Sequence, residues 1–341
     1  MTNTNNTENK PYIQVENLKK YFHTKRGMLH AVDDVSFSIR KGETLGLVGE
    51  SGCGKSTLGR CLIRLLEATA GHVTLHDHST GKDTDITRIG AGAMKEMRKK
   101  VQIVFQDPYS CLNPRLSVWE LIAEPLIVNG VFENKNDMRS RIRELMNIVG
   151  LAERLENSYP HELDGGRRQR IGIARSLALN PEFIVLDEPV SALDVCIQAQ
   201  ILNLLNDLQK EFNYTYVFIS HNLSVVKHVS DRIAVMYLGK IVELTNYKEL
   251  FVKPMHPYTQ ALLSAIPVAK LDVQKNRIIL EGDVPSPIEP PDGCRFMGRC
   301  IYCQERCTKE TPELRELNPG HFVSCHFAES LKLKVFAAAA D

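Results

Sequence analysis

The sequence predicts an α/β fold: a mostly parallel sheet whose strands alternate with helices, broken by a helix-rich insertion and followed by a loop-rich C-terminal extension. Three observations carry this prediction. LGLVG at 45–49 runs into a glycine-rich loop and then into a helical pattern from Lys55 to Leu66, the opening of a nucleotide-binding unit. Further apolar runs, FIVLD at 183–187, TYVFIS at 215–220 and IAVMYLG at 233–239, are separated by helical patterns; strands alternating with helices build parallel sheets. From Lys253 onward the composition shifts, and Pro254, Pro257, Pro267, Pro285, Pro287, Pro290 and Pro291 mark loops.

In chain order, the polar N-terminus MTNTNNTENK reads as a disordered tail without the apolar stretch of a signal peptide. Residues 12–48 alternate strand-like runs (YIQV, VSFSI, TLGLVG) with turns. Residues 115–180 read mainly as helices; one carries Met138, Ile142, Leu145 and Val149 on a single face. After FIVLD, a helix presents Ile197, Ile201, Leu204, Leu205, Leu208 and Phe212. The closing FAAAAD is low-complexity and receives no assignment.

The 341 residues, 43% hydrophobic and 24% charged, are those of an ordinary globular protein that needs no disulfide staples. A net charge of +1 argues against an extended nucleic-acid surface. No run of about 18 apolar residues predicts a membrane span. The expectation is a cytoplasmic protein whose membrane association runs through partners.

Gly49-Glu50-Ser51-Gly52-Cys53-Gly54-Lys55-Ser56-Thr57 fits G-x-x-x-x-G-K-[ST]. Glycines let successive backbone N–H groups converge on phosphate oxygens, and the following helix adds its N-terminal dipole. Lys55 neutralises β- and γ-phosphates, and Ser56 is placed to ligate Mg²⁺. Cys53 is expected to contribute a backbone N–H rather than thiol chemistry. Downstream, Phe183-Ile184-Val185-Leu186 ends in Asp187-Glu188. A buried strand ending in carboxylates delivers them to the ligand edge of a sheet. Asp187 then holds Mg²⁺ through water, and Glu188 polarises the attacking water.

Four more segments stand in order around these two. Val104-Phe105-Gln106-Asp107-Pro108 resembles the Q-loop of ABC ATPases. His161-Glu162-Leu163-Asp164-Gly165-Gly166-Arg167-Arg168-Gln169-Arg170 sits where those proteins carry LSGGQ. Ser191-Ala192-Leu193-Asp194 resembles the D-loop, and Ser220-His221 the switch histidine. The wording QDPYSCLNPR, DEPVSALDVCIQAQILNLL and HPYTQALLSAIP is similar to the ATPases of bacterial oligopeptide and dipeptide importers. The resemblance covers roughly residues 12–330.

The resemblance implies an ABC-type P-loop domain over 11–252, with a RecA-like parallel-sheet core, an N-terminal antiparallel β subdomain and a helical subdomain at about 107–180. A peptide-importer-type extension follows over 253–330, and residues 1–10 form the tail. It also implies roles. Gly49, Ser51, Gly52, Cys53, Gly54, Lys55, Ser56 and Thr57 bind ATP, and Phe22 or Tyr21 stacks on adenine, with simple spacing favouring Phe22. Ser56, Gln106 and Asp187 hold Mg²⁺. Glu188, His221 and Gln106 are catalytic. Leu163, Asp164, Gly165, Gly166 and Arg167 act in trans on ATP bound by a second, homologous subunit. The implied partners are that subunit, two transmembrane permease subunits and an extracytoplasmic solute-binding protein, with the chain on the cytoplasmic face of the membrane and no nucleic acid. The implied activity is ATP hydrolysis powering oligopeptide or dipeptide uptake. Import of nickel or another small solute is the alternative within transport. A soluble ABC ATPase of DNA repair or translation, or a regulator without turnover, are the alternatives outside it.

Two departures qualify the resemblance. LDGGR replaces LSGGQ. A serine donates to the γ-phosphate, whereas ionised Asp164 offers an acceptor and a negative charge. At an effective dielectric of about 20 and a separation of about 4 Å this repulsion is roughly 4 kcal/mol, which Arg167, the glycine amides and the helix dipole offset in part. Asn222 follows the switch histidine where aspartate is usual, a minor change.

Nine cysteines are unevenly spread: Cys53, Cys61, Cys111 and Cys196 are scattered, and five cluster near the end. Such a cluster suggests metal before disulfides. Cys294-x₅-Cys300-x₆-Cys307-x₁₇-Cys325 resembles the peptide-importer segment that can bind a [4Fe–4S] cluster. The C-x₂-C formed by Cys300 and Cys303 keeps structural Zn²⁺ open as an alternative, as do free thiols.

Overall fold

The structure is a computed structural model that describes residues 10–266, 277–282 and 285–333. All of the expected tail but Lys10, together with Pro267 and FAAAAD, lies outside the described residues. The elements run β1 (Ile13–Thr24), β2 (Gly27–Ile39), β3 (Thr44–Val48), α1 (Lys55–Leu62), β4 (Ala70–Asp77), β5 (Lys82–Asp85), α2 (Ala91–Lys100), β6 (Val101–Val104), α3 (Pro108–Cys111), α4 (Val118–Val128), α5 (Lys135–Ile148) and α6 (Gly165–Leu177). They continue with β7 (Phe183–Asp187), α7 (Val195–Phe212), β8 (Thr215–Ser220), α8 (Leu223–Val229), β9 (Arg232–Tyr237), β10 (Lys240–Asn246), α9 (Tyr247–Val252), α10 (Pro257–Ser264), α11 (Glu305–Lys309), β11 (Arg315–Asn318) and β12 (His321–Val323). Among the described residues no helix is long and apolar enough to cross a membrane. The chain divides into two compact units, Met1–Thr87 with Phe218–Asp341, and Arg88–Val217.

The first unit holds an antiparallel sheet of order β2-β1-β4-β5, and a second sheet in which β11, β12, β10, β9, β3 and β8 are successive neighbours. β1 and β2 form one long hairpin, with Thr24 opposite Gly27, where the sequence suggested only short runs. β3 is buried at every residue and lies parallel to β9, which is why TLGLV reads as a continuous apolar run rather than an alternating one. α1 ends at Leu62 and does not reach Leu66. Arg64 adopts a left-handed φ of 51°, and the Leu65 N–H bonds back to the Arg60 carbonyl at 2.8 Å, a Schellman-type stop.

The C-terminal extension contributes strands to this unit. β12 pairs antiparallel with β10, and β11 with β12. On β10, Glu243 is fully buried. It accepts hydrogen bonds from Met255 N–H (2.7 Å), His256 N–H (3.0 Å) and His321 Nε2 (2.7 Å). A buried carboxylate is tolerable only when its lone pairs are satisfied in this way. It ties the start of α10 to β12.

In the second unit β6 and β7 are parallel neighbours. α4 starts on a capping box, Ser117 with Glu120, and α5 on Asn134. α5 buries Met138, Ile142, Leu145 and Met146, the stripe its 3.6-residue period requires. The sequence reading gave no sign of α2 or β6; VQIV is four residues long, too short for a periodicity to register.

Candidate functional site

The phosphate loop connects β3 to α1. Gly54 precedes the helix with φ 104°, and a Cβ there would lie 2.0 Å from the Ala31 carbonyl oxygen. A Cβ on Gly49 would lie 2.2 Å from the Met236 carbonyl oxygen. These close approaches require glycine at both positions. No side chain caps the start of α1, so its first-turn N–H groups are not taken up by a capping side chain. Lys55 is buried, and its Nζ donates to the carbonyls of Gly49 and Glu50, both at 2.9 Å. Cys53 is buried, with its thiol pKa raised by burial. Its N–H, predicted to serve phosphate, donates to the Glu50 carbonyl at 3.3 Å.

Tyr21 and Phe22 are successive on β1 and so face opposite sides of the sheet. The Tyr21 ring stacks on His30 with centroids 4.1 Å apart, and its hydroxyl donates to Asp33 at 2.5 Å. Burial raises the pKa of Tyr21, and the bond to Asp33 raises it further. Asp33 is itself buried, which alone would raise its pKa, but Tyr21, Lys240 and Arg295 hold it below the usual carboxylate range. Phe22 lies under the Lys20 ammonium, 4.8 Å from the ring centroid. In the same unit, His221 is exposed between β8 and α8. Asn222 caps α8 by accepting from the Ser224 N–H at 3.0 Å, a task asparagine performs as well as aspartate.

The second unit carries the acids. Asp187 ends β7, buried. Glu188 follows with a left-handed φ of 48°, uncommon for a residue with a side chain and typical of functional turns. Gln106, just beyond β6, donates from Nε2 to Glu188 Oε2 at 3.0 Å. The Ser191 N–H and hydroxyl both bond the Glu188 carbonyl, at 3.3 and 3.1 Å, so the D-loop serine fixes the turn that aims the glutamate. Leu193 N–H closes the next turn onto Val190, and exposed Ala192 and Asp194 lead into α7.

The signature segment forms the start of α6. Leu163 is buried, and Asp164 is the N-cap. Asp164 Oδ1 accepts from the Arg167 N–H at 2.8 Å, and Oδ2 lies 3.4 Å from Arg167 Nε. The carboxylate that replaces the expected serine therefore keeps the capping job and carries its own counter-charge. A Cβ on Gly166 would meet the Ile197 side chain at 2.7 Å, so the helix start packs directly on α7.

None of the nine cysteines forms a disulfide. Cys294 N–H donates to the Cys307 carbonyl at 2.8 Å. Burial first, and then the neighbouring Cys307, Cys325 and Cys303, push the Cys294 thiol up to about 11. Burial, Cys294, Cys325 and Cys303 push Cys300 to about 12. Cys325 is raised by burial and by Cys307. The thiols are electrostatic neighbours, yet among the described residues no three His, Cys, Asp or Glu side chains are grouped as a single metal ion would need.

Comparison with known proteins gives the family. The ABC transporter family pattern matches residues 32–191, and the oligopeptide/dipeptide transporter C-terminal region matches residues 242–307. The chain is 50% identical over 324 residues to the oligopeptide transport ATP-binding protein AppF of Bacillus subtilis, covering 92% of this chain and 96% of that one. It is 50% identical over 317 residues to OppF of the same organism, covering 93% and 97%. It is 46% identical over 315 residues to a putative peptide import ATP-binding protein of Brucella ovis, covering 92% and 97%. Among solved structures, the dimeric ATP-binding cassette MJ0796 bound to ADP and Pi is similar at TM-score 0.61 and 29% identity, covering 69% of this chain and 98% of that one. CbiO1 of Clostridium perfringens is similar at TM-score 0.61 and 27% identity, covering 71% and 90%. With a phosphate loop, a strand-end acid pair, a signature helix and a peptide-transporter C-terminal region in one chain, this protein belongs to the ATP-binding proteins of the ABC transporter family, in its oligopeptide/dipeptide branch.

Proposed function

We infer that the chain hydrolyses ATP to power oligopeptide or dipeptide uptake through a membrane permease. The observation that carries the catalytic part is the Gln106–Glu188 contact at 3.0 Å, set on a Glu188 turn that Ser191 locks from the main chain. A carboxylate oriented by an amide donor on a fixed turn is aimed to take a water proton. That is what in-line attack on a γ-phosphate requires of this chain.

The other roles follow residue by residue. The loop from Gly49 to Thr57 cradles the phosphates, Lys55 exchanging its carbonyl partners for phosphate oxygens. Tyr21 or Phe22 meets adenine. His221 contacts the γ-phosphate. Ser56, Asp187 and Gln106 offer a hydroxyl, a carboxylate and an amide oxygen, the hard donors that suit Mg²⁺, which would neutralise phosphate charge. Leu163 to Arg167 serve ATP on a second homologous subunit, and the D-loop Ser191 holds the Glu188 turn. Two permease subunits and a solute-binding protein complete the complex, and the chain sits on the cytoplasmic side through the permease. Cys294, Cys300, Cys307 and Cys325 would hold a [4Fe–4S] cluster, a reading supported by their electrostatic proximity and by the place of the first three in the matched peptide-transporter region; such a cluster takes four thiolates.

The test is Glu188→Gln in the full chain. It keeps the shape and one acceptor but removes the base. ATP binding is retained, steady-state hydrolysis falls by at least about 10²-fold, as loss of a general base predicts, and ATP-bound dimers accumulate. Turnover at the wild-type rate would remove Glu188 from the chemistry.

A further inference from the structure

The cysteine segment reaches the phosphate loop. Between Cys294 and Cys300 the chain makes a single turn, Met297–Arg299, and the side chains before and within it point into the nucleotide-binding unit. Arg299 makes a bidentate pair with the Glu50 carboxylate, Nη1 to Oε2 at 2.7 Å and Nη2 to Oε1 at 3.2 Å. Phe296 is buried edge-on against Tyr237, with centroids 5.2 Å apart, and 5.4 Å from the ring of Tyr258. The Tyr258 hydroxyl accepts the Glu50 N–H at 2.9 Å. Arg295 binds Asp33, the carboxylate that holds Tyr21. The turn is thus fixed at three points.

Glu50 is the second residue of the phosphate loop, and its polar groups are engaged. The N–H goes to Tyr258, the carboxylate to Arg299, and the carbonyl receives Lys55 Nζ at 2.9 Å. Its charge is the notable part. A loop that receives a triphosphate works against any carboxylate it carries, because the two repel at close range. Arg299 is almost fully buried in this contact, its side chain 9% exposed. A bidentate guanidinium is the strongest neutralising partner a carboxylate has.

We propose that Arg299 of the cysteine segment is a positioning residue of the nucleotide site, neutralising and orienting Glu50 so that the phosphate loop accepts a polyphosphate. The inference rests on the reading that residues 49–57 bind ATP. It makes the C-terminal extension part of the ATP site rather than an appendage to it.

The experiment is equilibrium binding, by calorimetry, of a non-hydrolysable ATP analogue with Mg²⁺ and of inorganic tripolyphosphate to the full chain. Arg299→Ala leaves Glu50 unpaired and raises both dissociation constants roughly tenfold, the equivalent of about 1.4 kcal/mol. Adding Glu50→Gln to that variant restores both to within about twofold of wild type. Glu50→Gln alone binds both ligands as well as wild type or better. Arg306→Ala, on an exposed arginine paired with Glu310, changes neither. A merely structural arginine would not be rescued by deleting the carboxylate. If Arg299→Ala binds as wild type, if the double variant stays as weak as the single one, or if Glu50→Gln alone weakens binding, the proposal fails. Should Arg299→Ala not fold, the Glu50→Gln result decides. A wild-type chain that binds neither ligand refutes the ATP-site reading itself, a separate failure.

Discussion

The signature aspartate sets up a charge experiment whose size follows from its surroundings. An isolated carboxylate about 4 Å from a γ-phosphate bound by the partner subunit would repel it by roughly 4 kcal/mol at an effective dielectric of about 20. In the fold, however, Arg167 Nε stands 3.4 Å from Asp164 Oδ2, and at the same dielectric that attraction is about 5 kcal/mol. Both groups are about half exposed, 60% and 48%, so in the free chain solvent screens the pair to about 0.2–1 kcal/mol. When a partner covers the helix start and water leaves, repulsion and attraction grow together, and the phosphate meets a dipole rather than a bare charge. Asp164→Ser therefore changes ATP turnover by less than about tenfold, or 1.4 kcal/mol. It barely moves the melting temperature, since serine also caps. Arg167→Ala exposes the carboxylate and lowers turnover by at least about tenfold. Adding Asp164→Ser to Arg167→Ala restores it. The assay is steady-state ATP hydrolysis of all four proteins, alone and with a homologous subunit carrying LSGGQ. A hundredfold gain from Asp164→Ser alone, on the order of 2.7 kcal/mol, or no loss from Arg167→Ala, would refute the compensation argument.

Two further outcomes concern the C-terminal extension. Anaerobically purified protein is expected to be brown, with broad absorption near about 400 nm from thiolate-bound iron. Cys294→Ser/Cys300→Ser abolishes the colour and Cys303→Ser does not; stoichiometric zinc without iron would overturn the cluster. Burial lowers the pKa of His256 from 6.5 to about 3, so the unfolded chain takes up a proton there that the folded chain refuses. Its contribution to stability is complete above pH 6.5 and is lost as the pH falls from 6.5 towards 3, at up to about 1.4 kcal/mol per pH unit. His256 Nδ1 accepts the Tyr258 N–H at 3.1 Å, an acceptor that His256→Asn retains. Melting temperatures of that variant between pH 7 and 5 are expected to fall less steeply than those of wild type, and an equal slope would place the acid sensitivity elsewhere.

What the sequence determined by itself were the features that obey short-range rules. The glycines at 49 and 54, the apolar runs that became β3, β7 and β8, the single-face stripe of α5 and the order of the six motifs are all written in spacing and residue type. These depend on backbone sterics and on a period of 2 or 3.6, which a linear string records. It misjudged the end of α1, because a left-handed Arg64 has no distinctive residue type, and it missed the β11–β12 pair in a stretch that reads as loop. The Arg167 counter-charge was legible as a neighbour but not as a bond. Only the tertiary structure decided which distant groups meet: Gln106 with Glu188 across 82 positions, Glu243 with His321 across 78, and Arg299 with Glu50 across 249. Such pairs carry no period and no spacing. Where packing removes water from both partners at once, as at Glu243 and His321, a buried carboxylate must find the donor the fold has brought to it.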